Sequence, residues 1–389
     1  MTSNWETVKA EDYCFTVTDG THDSPKAKEN GHYLITSKHL APYSIDFSSA
    51  KKISEEDYQK VIKRSPVEQW DILFSMIGTI GITYLEKNTD IDYACKNMGI
   101  FKFNGEKDKA YWLYYYLQTP QAKEYILGHL RGTTQQYLPL GSLRDFPIQV
   151  PSAEIRNNIT SILRSLDDRI AVNTAINENL EKQAQALFKN LLADIQERVP
   201  FTSVIQVLGG GTPKTGKQEY WNGEIPFFTP KDVGAPYVLT TEKNITPLGL
   251  DNCNSRLYPV NTVFLTARGT VGKVSLAGVP MSMNQSCYAL AGKDGLHQII
   301  VYHYVLETVK ALKHKASGAV FDAIITRDFD TESVPALSSE QIDSFIAVAE
   351  PIYSDILNRT IENQRLAALR DTLLPKLMNG EIDVSAVEI

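Results

Sequence analysis

Residues Gly211-Thr212-Pro213-Lys214-Thr215-Gly216-Lys217-Gln218 come within one position of a phosphate-cradling loop, and Val204 to Leu208 before them read as a strand. Gln218 stands where such a loop needs a hydroxyl for Mg²⁺. The following Glu219-Tyr220-Trp221-Asn222-Gly223 does not begin the helix whose N-terminus would hold the phosphate. The segment is read as a Gly-rich turn able to meet a backbone phosphate, not as a nucleotide site. Two GxxG elements, Gly78-Thr79-Ile80-Gly81 and Gly269-Thr270-Val271-Gly272, are tight turns of the kind that bring exposed N–H groups against a nucleic-acid backbone, and the second is flanked by Arg268 and Lys273. Ordinary β-turns use the same residues. Other chemistry is missing. The four cysteines form no CxxC, no HExxH occurs, and the seven histidines are scattered. There is no Asp/Asn-Pro-Pro-aromatic motif to hold a flipped base, no FxGxG cofactor loop and no nucleophile–base pair, so no catalytic residue and no metal ligand is assigned.

The elements that must position these loops repeat. Two stretches free of glycine, about Ala153 to Asp194 and Ser339 to Met378, carry apolar residues at spacings of three and four. The first seam is Ile155, Ile159, Ile162, Leu166, Ile170, Leu180, Leu187 and Leu191. The second is Phe345, Val348, Ile352, Ile356, Leu366, Leu373 and Leu377. An offset of 186 positions superposes them, with Ile170 on Ile356, Thr174 on Thr360, Asn177 on Asn363 and Leu187 on Leu373. Each predicts a long helix packed on a partner helix, spanning roughly 60 Å at about 1.5 Å per residue. Asn177 and Asn363 either fix the register of that pair or lie at its solvated edge. Pro351 is expected to kink or restart the second helix.

The stretches before the helices also match. Asp19-Gly20-Thr21-His22 corresponds to Gly209-Gly210-Gly211-Thr212, and Tyr33 to Lys38 corresponds to Pro226 to Lys231. Asp71 to Gly81 corresponds to Thr262 to Gly272, and Arg131-Gly132-Thr133 to Ser317-Gly318-Ala319. Lys96-Asn97-Met98 takes the place of Met283-Asn284-Gln285. Helical stretches run from Lys109 to Leu130 and from Leu296 to Lys315. The fold class is α+β: two pseudo-repeated mixed α/β domains, each with a strongly bent sheet, separated by two long helices. The boundaries read as 1–150, 151–197, 198–337 and 338–389.

These residues resemble the specificity subunits of type I restriction-modification systems. The resemblance rests on Asp19 to His22, Gly210 to Pro213 with Tyr220-Trp221 and Gly223 to Pro226, Arg268 to Gly272, Asn284-Gln285 and the repeated helices. It covers essentially the whole chain. It implies two target recognition domains, each reading half of a split double-stranded DNA site. It further implies conserved spacer helices that form an antiparallel coiled coil and dock two methyltransferase subunits. Those partners would methylate an adenine in each half-site with S-adenosylmethionine, and restriction/translocase subunits would use ATP and Mg. The chain itself is then non-catalytic, carries no cofactor, and works in the cytoplasm in phage defence.

The loops and this resemblance together give the candidate DNA contacts. They are Lys26, Thr36, Ser37, Lys38, Arg131, Thr133, Thr134, Gln135 and Gln136 in the first domain, and Lys214, Thr229, Lys231, Arg268, Lys273 and Arg327 in the second. Cations would hold phosphates and Gln, Thr and Ser would read base edges. The net charge of −7, from 39 Lys plus Arg against 46 Asp plus Glu, does not oppose this. Residues 338–389 hold four cations against nine anions, so most of the excess lies on the last helix and tail. The uncharged run Ile72 to Leu85 is too short and polar to span a bilayer, and the first residues lack the pattern of a signal peptide. A non-DNA coiled-coil scaffold, or the specificity subunit of a related bipartite restriction system, are the competing readings.

Overall fold

The two glycine-free stretches fold as helices Ala153–Leu192 and Ser339–Met378. The second runs uninterrupted through Pro351 and Pro375, so the helix does not restart at Pro351. Pro351 lies on the exposed side of the helix, as does Ala347, so the carbonyl left without an N–H partner faces water. The computed structural model describes residues 5–41, 43–234, 236–315 and 323–385. The chain divides into two units, Met1–Asp168 with Ala367–Ile389, and Arg169–Leu366, so each long helix contributes to both.

In the first unit, strand Glu6–Lys9 pairs antiparallel with Pro147–Val150, the strand that leads into the first long helix. An antiparallel sheet follows in the order Thr16–Asp19, Met98–Lys102, Ile72–Ser75, Thr83–Leu85. A separate three-stranded sheet sets His32–Ile35 between Lys51–Ile53, antiparallel, and Tyr93–Cys95, parallel. The expected single bent sheet is therefore divided, its two largest parts being these sheets of four and three strands. The helical stretch after Lys107 is also divided, into Lys107–Tyr116 and Pro120–Gly128. Pro120 disfavours helix at Thr119, and the Thr119 hydroxyl instead caps the next helix by accepting from the Ala122 N–H at 3.2 Å. Trp112, Tyr115, Phe74, Phe101, Phe103 and Phe146 fill the core, with Ile159 and Leu163 of the first long helix and Leu374 and Leu377 of the second.

The second unit repeats this plan. Arg198–Pro200 pairs with Ser333–Pro335 before the second long helix. A five-stranded sheet runs Ile205–Gly209, Cys287–Gly292, Val263–Thr266, Val274–Ala277, Tyr237–Val238. A three-stranded sheet again sets its middle strand, Trp221–Phe228, between an antiparallel neighbour, Asn244–Ile245, and a parallel one, Ser282–Met283. Gln298–Lys315 is one helix. Ser317-Gly318-Ala319, matched to Arg131-Gly132-Thr133 in the sequence, lies outside the described residues.

Within each unit the two long helices pair antiparallel. In the second, Asn177 Nδ2 donates to the Ile356 carbonyl and the Thr360 hydroxyl, both at 3.3 Å. Asn363 Nδ2 donates to the Ile170 carbonyl at 3.4 Å and the Thr174 hydroxyl at 3.3 Å. The two sets of partners differ by the repeat offset, so one polar clasp occurs twice about a local pseudo-two-fold. Asn177 is buried. A shift of either helix would strand its amide, which is how a polar seam residue selects register. Of the other seam positions, Ile159, Phe345 and Ile356 are buried, and Leu166, Ile170, Leu180, Ile352, Leu366 and Leu373 are half-buried. Leu187 is corrected: it is 41% exposed, and Phe188 takes the inward place.

Candidate nucleic-acid interface

In the second unit the Gly-rich turn, the Thr-Pro-Lys turn, the GxxG hairpin and the Asn-Gln turn are tied together. Gly210 packs so closely on the main chain of Asn284 that an added Cβ would overlap its carbonyl oxygen. The Gly211 N–H donates to the Met283 carbonyl at 3.2 Å, the Asn284 N–H to the Phe228 carbonyl at 3.0 Å, and Thr212 Oγ1 bonds Gln285. Asp232 accepts from both the N–H and the hydroxyl of Thr229, at 2.8 and 2.7 Å, and from the Glu242 N–H at 2.7 Å. This fixes the turn from which Lys231 projects, 77% exposed, with Nζ 3.3 Å from Glu242. Thr270 Oγ1 donates to the Pro230 carbonyl at 3.1 Å, joining the GxxG hairpin to that turn.

The first unit uses the same scheme with different side chains. An added Cβ at Gly20 would overlap the Cys95 carbonyl. The Thr21 N–H donates to that carbonyl at 2.9 Å, and the Lys96 N–H to Ile35 at 2.8 Å. His22 Nδ1 lies 2.8 Å from Asn97 Oδ1, in the place of the Thr212–Gln285 contact. Strand pairing sets Cys95-Lys96-Asn97 against Met283-Asn284-Gln285, one residue earlier than the sequence comparison placed it. Asn97 adopts φ +53°, which Asn tolerates better than most residues. The match in letters was off by one because the equivalence resides in main-chain bonds, which side-chain identity does not record.

Both GxxG hairpins are built on a buried hydroxyl. Ser75 Oγ donates to the Thr79 carbonyl at 2.6 Å and accepts from the Ile82 N–H at 2.7 Å. Thr266 Oγ1 donates to the Thr270 carbonyl and accepts from the Lys273 N–H at 3.0 Å. All four loop glycines have φ between +74° and +93°, a region that penalises side chains. Lys313 Nζ supports the second loop at the Gly272 carbonyl, 2.8 Å away; burial, and then the charge of Lys273, push its pKa down.

The structure places the candidate contacts in groups. Lys26, Lys38, Lys214, Lys231, Arg268, Lys273 and Arg327 are exposed. Thr36 and Ser37 are half-buried: Thr36 caps the short turn at Ser37–His39 by bonding to His39, and the Ser37 hydroxyl is enclosed. Arg131, Thr133, Thr134, Gln135 and Gln136 form an exposed loop closed by reciprocal bonds between Arg131 and Tyr137, both 2.9 Å. That loop adjoins the first GxxG hairpin through a bridge between Ile77 and Tyr137. Arg268 bridges Ala323, three residues before the helix that carries Arg327. Sequence reasoning missed His22, Asn97, Thr212, Asp232, Ser75 and Thr266 as holders of these loops; the matched segments set Ser75 against Thr266 and His22 against Thr212, but Asp232 falls against His39 and carries no such signal.

Burial pushes the thiol pKa of Cys287 up to about 12 and those of Cys14 and Cys95 upward as well, which suits inert core thiols. Among the described residues no group of His, Cys, Asp and Glu could hold a metal ion, and no helix is long and apolar enough to cross a membrane. What the loops offer is rigid main chain, exposed cations and amide and hydroxyl side chains, the inventory of a surface that binds and discriminates.

Residues 2–182 and 197–345 match the type I restriction modification DNA specificity domain, and the chain belongs to that family. It is 22% identical over 403 residues to the type I restriction enzyme HindI specificity subunit of Haemophilus influenzae, covering 82% of this chain and 88% of that protein. It is 27% identical over 307 residues to the EcoR124I/EcoR124II specificity subunit of Escherichia coli, covering 72% and 74%. The fold is similar to the crystal structure of the S subunit of a type I restriction-modification system from M. genitalium, with a TM-score of 0.55 at 14% identity over 96% of each chain. The function is accordingly DNA sequence specificity.

The close approach at the Gly-rich turns gives a direct test. Gly210→Ala should cost about 1–3 kcal/mol through overpacking against fixed main chain. Melting curves should show a lower midpoint, together with weakened DNA binding; an unchanged midpoint would mean the turn can move aside.

Proposed function

We propose that residues 1–150 and 198–337 are the two target recognition domains, and that each reads one half of a bipartite, asymmetric DNA site. The observation that carries this is the pair of loop frameworks. They share main-chain geometry at Gly20 and Gly210 and hydroxyl-held hairpins at Ser75 and Thr266, yet present different exposed side chains. A common framework with different reading residues suits two half-sites of different sequence. Lys26, Lys38, Arg131, Lys214, Lys231, Arg268, Lys273 and Arg327 would hold phosphates. Thr133, Thr134, Gln135 and Gln136 would supply contacts to base edges, whereas the Thr36, Ser37 and Thr229 hydroxyls, bonded to His39, enclosed and bonded to Asp232 respectively, would position their turns.

The long helices, continuous from one unit to the other, would set the unread gap and dock two methyltransferase subunits, as dimer geometry sets half-site spacing elsewhere. Methylation with S-adenosylmethionine, and ATP- and Mg-dependent translocation and cleavage, would belong to those and to restriction subunits. The complex would act in the cytoplasm. Methylome sequencing of cells with and without this chain should reveal one split motif with unlike halves. A palindromic or undivided motif would contradict the proposal.

A further inference from the structure

The three-stranded sheet of the first unit gathers lysines that no sequence motif marks. Lys51 and Lys52 lie on its edge strand. Lys28 pairs antiparallel with Lys52, its N–H donating to the Lys52 carbonyl at 2.9 Å. Lys96 follows the strand on the other side. Lys51 Nζ donates to the Pro25 carbonyl at 2.6 Å and Lys96 Nζ bonds Ser24, so both strap residues 24 to 28 onto the sheet. Lys52 Nζ sits 5.1 Å above the Tyr33 ring.

None of these four makes an ion pair among the described residues. Glu55 and Asp92 are engaged by His32, and Asp46 by Ser48 and Ser49. Like charges set directly across an antiparallel pair destabilise a sheet. Lys28 opposite Lys52 is therefore a local cost without a local return, while Lys51, on the other side of the strand, serves the Pro25 carbonyl. An arriving anion supplies the return.

We propose that Lys28 and Lys52, which as a directly opposed pair share one side of the sheet, form a phosphate-holding face that grips the sugar–phosphate backbone of double-stranded DNA beside the bases the first unit reads. The proposal rests on the recognition role given above and extends it to residues outside the matched loops. In the second unit strand pairing puts Asn244 in the place of Lys52 and Lys243 in that of Lys51, with Lys243 Nζ 5.8 Å from the Trp221 ring. The first half-site should thus carry more of the salt dependence.

The test uses the full chain with its co-encoded methyltransferase subunits and a DNA duplex of random sequence. Lys28→Gln/Lys52→Gln is suitable because neither ammonium bonds a protein carbonyl. Affinity should fall, and the slope of log affinity against log salt should shrink by about 0.9 per lysine lost. The melting midpoint should stay level or rise, since a like-charge pair is removed, and the methylated motif should not change. Lys28→Arg/Lys52→Arg should restore binding. Wild-type binding with an unaltered slope in the glutamine variant would overturn the lysine face alone, and so would a lowered midpoint with an unaltered slope. Absence of binding by the wild-type complex would overturn the recognition role and this face with it.

Discussion

Arg370→Ala should destabilise the first unit by about 3–5 kcal/mol, the usual cost of stranding one member of a buried ion pair. Arg370 Nη1 donates to Asp167 Oδ1 at 2.8 Å, and both side chains are 9% exposed. Asp167 Oδ2 accepts from the Tyr115 hydroxyl at 2.8 Å. Arg370 also donates to Asp371 through Nε and Nη2, at 2.9 and 2.7 Å, and its guanidinium lies 4.8 Å from the Tyr43 ring centre. Alanine at 370 would leave the Asp167 carboxylate with only a phenol for company, while Tyr43 lost its stacking partner. Urea unfolding of both variants measures the effect, and a loss below about 1 kcal/mol would mean water or another cation reaches Asp167. The double replacement Asp167→Leu/Arg370→Leu should recover much of the loss, because removing both charges avoids desolvating either. The repeat supports this: the offset that relates the helices puts Tyr353 and Ala184 at the equivalent positions, both buried in the apolar cluster of the second unit. The same location is closed there without an ion pair.

That contrast also marks what the sequence could disclose. The long helices were legible because hardly any structure but a long helix sustains glycine-free apolar spacings of three and four over 40 residues, and the repeat made their pairing evident. Their innermost residues were not. Each helix packs against the body of its own unit as well as its partner, so its buried stripe is broader than a two-helix seam. The centre of that stripe passes through Leu163, Asp167, Asn173, Ala184 and Phe188. Two of these are polar, and an apolar count passes over them, as it passed from Leu187 to Phe188. The Gly turns and GxxG hairpins were legible as loops, since Gly at positive φ has a fixed physical use. What holds them was not: Asp232, Ser75 and Thr266 act through bonds to main chain three to ten residues away, and one Ser or Asp looks like another until the turn brings its partner near. The lysines on the edge strand escaped for a related reason. Lys28 and Lys52 are ordinary apart and meaningful only once strand pairing sets them together.

Acid should weaken the second unit through His303. This residue lies on the helix Gln298–Lys315, is 2% exposed, and stacks on Phe188 with ring centres 4.7 Å apart. Its Nε2 is 3.1 Å from the Tyr353 hydroxyl. Burial, with a smaller push from Lys310, lowers its pKa from 6.5 to about 3. The unfolded chain therefore takes up a proton near pH 6.5 that the folded chain refuses until about pH 3. Stability from this group is complete above the unfolded value and is lost as pH falls from there toward the folded one. The slope approaches about 1.4 kcal/mol per pH unit, or roughly 2–3 kcal/mol by pH 4.5. His303→Phe keeps the aromatic stack and removes the titration. At pH 7.5 it should be the less stable protein by about 1–3 kcal/mol, because the buried Tyr353 hydroxyl loses its partner. Below pH 6.5 the gap should close, the wild type falling by His303's share while the variant does not. His39, buried in the first unit with its pKa also lowered by burial, is present in both proteins and cancels from the difference. Unfolding free energies of the two proteins across pH 4.5 to 7.5 decide the matter; parallel curves would show that water reaches the imidazole and that its burial carries no penalty for charge.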